Sequence, residues 1–106
     1  MRHGIRLSPR DRRLAFWGWA LGAFLLRARR AEEALEEARI AARRDPRLYL
    51  PPILEAVTQA TLGRTKLARA ALMSARRIRP TLTQREIESS HGRHAARILS
   101  DVWDVG

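Results

Sequence analysis

Four residue pairs in this chain recur at one separation. Ala34 and Ala68, Ala41 and Ala75, Pro46 and Pro80, and Leu48 and Leu82 each lie 34 residues apart. A period of that length fits one helix–turn–helix unit. Small residues at fixed places let two helices approach closely, and a proline closes each unit because it cannot continue a helix. Such a unit does not bury its apolar face alone, so successive units must stack. Composition agrees. Ala, Leu, Arg and Glu dominate, all strong helix formers, and no stretch sustains the period-two alternation of a strand. The expected fold is all-α: an antiparallel helix–turn–helix α–α solenoid of two repeats plus a C-terminal capping helix.

Local signals place the helices. Ser8-Pro9-Arg10-Asp11 has the form of a helix start and predicts a first helix from about Pro9 to Ala28. The second is expected from Ala31 to Arg44, with Glu32, Glu33, Glu36 and Glu37 early and Arg39, Arg43 and Arg44 late, as the helix dipole favours. Asp45-Pro46 breaks it. Pro51 and Pro52 fit only a first turn, so the third helix begins between Arg47 and Pro51 and ends at Leu62, before Gly63. The fourth spans Thr65–Ile78. Thr83-Gln84-Arg85-Glu86 reads as a capping box opening a fifth, which is expected to break near Ser89-Ser90 and resume from Gly92 to Trp103. The domain reading is a lead-in at 1–13, two repeats within 14–80 (about 15–48 and 49–82) and a capping segment at 83–106.

Charge narrows the function less than its size suggests. Twenty Arg and one Lys against seven Glu and four Asp leave +10 at pH 7. The excess is blocky: +7 over residues 1–30, −2 over 31–62, +6 over 63–80 and −1 over 81–106. Basic blocks flanking an acidic one suit pairing with an acidic partner or a second copy. No aromatic stacking platform interleaves Lys66, Arg69, Arg76, Arg77 and Arg79, so nucleic-acid binding is the lesser alternative. The apolar run Leu14–Leu26 has 13 residues, short of the roughly 20 that span a bilayer. Arg12, Arg13, Arg27, Arg29 and Arg30 flank it at both ends, and no cleavage site follows, so a membrane role is also a lesser alternative and the cytoplasm is expected. The chain has no Cys, which excludes disulfides and thiol chemistry. Glu88, His91 and His94 have helical spacing but are too few for a metal site and read as surface polar residues. No catalytic, cofactor or metal residues are expected.

The 34-residue period, with Leu21-Gly22, Leu25, Ala34, Ala38, Ala41 and Pro46 in one unit and Ala56, Ala68, Leu72, Ala75 and Pro80 in the next, resembles the tetratricopeptide repeat. The match departs from the family at Gly18, where an early Trp belongs, and at Glu55 and Gln59, where large apolar groups belong. RLSPRDRRL, RRAEEALEEARIAARRDPRL, TLGRTKLARAALMSARRIRPTLT and the tail HAARILSDVWDVG together resemble the C-terminal repeat region behind bacterial class III adenylate/guanylate cyclases and related winged-helix regulators. That resemblance implies a protein–protein interaction module without catalysis, in a signalling context. It also implies a tail of a longer parent, with Arg2–Pro9 ending a preceding repeat. In the family register the concave face falls to Phe16, Trp19, Ala23, Leu26 and Arg27 of the first repeat and Leu50, Ile53, Val57, Ala60 and Thr61 of the second. These are the expected partner-binding residues. The first helix is apolar nearly all round, so an upstream repeat, a second copy or a partner helix lying in the groove should cover it.

Overall fold

A computed structural model describes residues 12–103. The Ser8–Asp11 start signal, the rest of the lead-in and residues 104–106 lie outside them. The described residues form six helices: α1 (Arg12–Arg27), α2 (Ala31–Arg44), α3 (Leu50–Thr61), α4 (Thr65–Ile78), α5 (Gln84–His91) and α6 (Arg93–Trp103). No strand occurs among them. Each helix packs mainly on its chain neighbour: α1 on α2, α2 on α3, α3 on α4 and α5 on α6.

The 34-residue offset is also an offset of backbone geometry. Arg30 before α2 has φ −107°, ψ 65°, and Arg64 before α4 has φ −95°, ψ 74°. Asp45 after α2 has φ −142°, ψ 90°, and Arg79 after α4 has φ −131°, ψ 87°. The Arg30 N–H donates to the Leu25 carbonyl at 2.9 Å, and the Arg64 N–H to the Gln59 carbonyl at 2.8 Å. Both bonds wrap the end of a helix whose next residue is left-handed. In the second unit that residue is Gly63 (φ 80°), but in the first it is Arg29 (φ 64°). Glycine is the ordinary choice there.

Burial follows the same register. Ala34, Ala41, Ala68 and Ala75 have no exposed surface, and Ala38 and Leu72 fill equivalent places. Between α1 and α2 the contact is closer still. A Cβ on Gly18 would stand 3.4 Å from Ala41 Cβ, an ordinary contact. One on Gly22 would stand 2.6 Å from the Leu54 side chain and 3.3 Å from the Ala34 carbonyl. The α1 glycines thus set the distance to α2 and to α3 behind it. The main core forms where α3 and α4 meet α5 and α6: Ile53, Val57, Leu72, Leu82, Ile87 and Leu99 pack there.

The chain end departs from expectation in one respect. The helix break falls at Gly92 (φ 95°), not at Ser89-Ser90, because only Gly92 takes a backbone that ends one helix and turns the next. Ser90 stays helical by donating back to the Glu86 carbonyl at 3.0 Å. The capping box forms as expected. The Glu86 N–H donates to Thr83 Oγ1 at 3.2 Å, and the Thr83 N–H to the Glu86 carboxylate at 3.0 Å. Arg79 closes on the same carboxylate and lies over the Tyr49 ring, 5.2 Å from its centroid. The guanidinium holds Glu86 below the usual carboxylate range.

Candidate binding groove

Helices α1 and α3 and the α5–α6 junction bound a half-open cavity of about 640 Å³. Its lining follows the 34-residue register one step further. Ala23, Val57 and His91 occupy one series of lining positions, and Arg27, Thr61 and Ala95 another. The offset that pairs the first two units therefore carries into α5, where the fully buried Ile87 stands 34 residues beyond the fully buried Ile53. Helix α5 starts a third unit that α6 does not complete in the same way.

Five of the ten residues expected to bind a partner line this cavity: Ala23, Leu26, Arg27, Val57 and Thr61. Trp19 stands behind its wall, partly buried. Ile53 is fully buried in the core, and Ala60 packs against that core. Leu50 is partly buried and Phe16 is 46% exposed, and neither lines the cavity. The remaining wall comes from Arg29, Ala31, Leu54 and the run Ser90–Ala95. Sequence reasoning did not include these. Adding the offset once more to Val57 and Thr61 reaches His91 and Ala95.

His91 is anchored rather than displayed, which corrects its reading as a surface polar residue. The Trp19 indole N–H donates to His91 Nε2 at 2.8 Å. The ring edges meet in a T arrangement with centroids 5.3 Å apart. A neutral imidazole with Nε2 as acceptor carries its proton on Nδ1, and Ser90 Oγ lies 2.7 Å from that atom. The Ser90 hydroxyl itself donates to the Glu86 carbonyl. Burial pushes the His91 pKa down to about 4, so at neutral pH the ring is uncharged and both nitrogens are occupied. Among the described residues no group of three or more His, Asp or Glu could hold a metal ion.

The charge of the groove comes from elsewhere. Arg27, Arg29, Arg93 and His94 are exposed at its rim, and no lining residue is a carboxylate. Arg93 has one acidic neighbour, Glu88, at 3.5 Å. Helix α5 ends at His91 and α6 begins at Arg93, so the negative end of one and the positive end of the other meet at this wall and offset each other. The floor is apolar, made by Ala23, Leu26, Leu54 and Val57.

A second feature lies on the opposite side of α1. Trp17 and Phe24 are each 67% exposed, with Leu21 at 47%. These three share one arc of the helix, and Phe16 stands at the edge of that arc nearer the groove. The Phe16 ring sits against those of Trp17 and Trp19, with centroids 6.2 and 5.3 Å away. No helix among the described residues is long and apolar enough to cross a membrane. Comparison with protein-family models, curated proteins and solved structures finds no match for this chain.

Proposed function

We propose that this chain is a helical-repeat interaction module that docks another protein on the outer face of α1 and acts by binding, without catalysis. One observation carries the reading: Phe16, Trp17, Leu21 and Phe24 stand exposed side by side on a helix whose other side is built into the fold. From typical side-chain areas they present about 500 Å² of apolar surface, at the upper end of what a lone soluble domain exposes. That is less than the roughly 800 Å² each partner gives a standard interface, and it suits a single docked helix. The likeness to repeat regions behind bacterial cyclases supports a regulatory setting in the cytoplasm.

The test compares the intact chain with Trp17→Glu/Phe24→Glu. The double variant is expected to fold normally by circular dichroism and to lose a stoichiometric protein partner that co-purifies with the parent. Retention of the same partner by the double variant overturns the reading. A stable dimer by light scattering that the variant abolishes assigns the face to a second copy instead. Binding to DNA or RNA with a steep salt dependence, unchanged in the variant, favours the nucleic-acid alternative.

A further inference from the structure

We infer that the groove between α1, α3 and the α5–α6 junction is a binding site for a small organic anion, a carboxylate head on an apolar body. Size decides against a docked helix in this place. A helix about 11 Å across would exhaust some 640 Å³ in little more than one turn, whereas a small ligand fits within the usual range of such cavities. The floor of Ala23, Leu26, Leu54 and Val57 suits the apolar body. The rim carries Arg27, Arg29 and Arg93, and with only Arg93 set against a carboxylate, Glu88 just outside the lining, its net positive charge suits a negative head and repels a cation. His91 supplies shape rather than charge, since both of its nitrogens are engaged with Trp19 and Ser90.

Arg29 points to the same use independently. Its φ of 64° is unfavourable for any residue with a Cβ, and the equivalent residue one repeat later is Gly63. Nothing in the helix ending requires a side chain there, because Gly63 makes the same turn without one. The strained position is occupied by an arginine that lines the cavity. Backbone strain retained at a cavity rim is the pattern expected of a ligand-holding residue.

Decanoate is the probe, with decanol and decyltrimethylammonium as its neutral and cationic counterparts. The readout on the intact chain is the indole N–H resonance of Trp19, assigned by its loss in Trp19→Phe. Decanoate is expected to shift that resonance saturably, and the two counterparts to bind at least fivefold more weakly. Arg29→Gly is expected to keep or raise Tm while weakening decanoate at least fivefold, and Arg93→Gln to weaken it similarly. Trp17→Glu/Phe24→Glu leaves the groove intact and should leave decanoate affinity unchanged. Equal binding of decanoate and decanol, or undiminished binding by both arginine variants, overturns the inference. So does loss of binding in the Trp17/Phe24 variant alone, which would place the probe on the outer face of α1.

Discussion

Gln59 and Leu25 are 34 residues apart and end equivalent helices, yet one is an amide and the other a hydrocarbon. Gln59 has no exposed surface. Its Oε1 receives a long bond from Arg64 at 3.4 Å, and its Nε2 has no partner among the described residues. A buried donor left unpaired costs about 1–3 kcal/mol. Gln59→Leu, which restores the side chain of the first unit, is therefore expected to stabilise the fold by about 1 kcal/mol, read as a higher midpoint in urea. Arg64 retains its ion pair to Glu32 across α2 in that variant. His91 gives a second prediction at this scale. Its folded pKa of about 4 lies below the unfolded value of 6.5. The unfolded chain binds the proton first as pH falls, so stability is constant above 6.5 and declines between 6.5 and 4. The loss attributable to this ring is about 3 kcal/mol at most. His91→Gln keeps an acceptor for Trp19 and should flatten that slope in unfolding curves measured across the window.

At the scale of elements, the two α1 glycines separate helix propensity from packing. Glycine inside a helix costs up to about 1 kcal/mol relative to alanine. Gly18 has room for a methyl group, so Gly18→Ala should leave stability unchanged or raise it by up to about 1 kcal/mol. Gly22 has none: the new Cβ would press on buried Leu54 and on the α2 backbone. Gly22→Ala should destabilise by about 1–2 kcal/mol despite its better propensity, and thermal unfolding of the pair checks the contrast. At the start of α5, Thr83→Ala removes the cap acceptor and should cost about 1 kcal/mol. Much of this level was legible from local chemistry. The bounds of α2 and α4 follow from charge order, proline and register, and Gly63 from its place after Leu62. The break was expected at Ser89-Ser90 because serine is also a poor helix former, yet the Ser90 hydroxyl donates within the helix to the Glu86 carbonyl and the turn falls at Gly92.

Across the whole molecule, one period organises both the core and the groove. The offset that aligns Ala34 with Ala68 also aligns Ala23, Val57 and His91, so the same repetition that buries small residues between helices lines up their inner faces. The outer face of α1 has no equivalent neighbour among the described residues, and there the large apolar side chains remain exposed. Truncating the chain after His91 removes α6, which contributes Leu99 and Val102 to the main core. That truncation should abolish cooperative unfolding, visible as a broad, low-amplitude thermal transition.

The sequence by itself determined the class of fold, because helix-forming residues, caps and a 34-residue recurrence of small residues and prolines are one-dimensional signals. It also marked the first helix as too apolar for a solvated element. Which side of that helix is buried was not written in it, since Trp17 and Trp19 are adjacent and chemically alike. Packing decided the matter: Gly18 and Gly22 press one side of α1 onto α2 and α3, which turns Trp19 inward to His91 and leaves Trp17 outside. The pairing of Trp19 with His91 spans 72 residues, and only the tertiary structure brings such distant partners within a hydrogen bond.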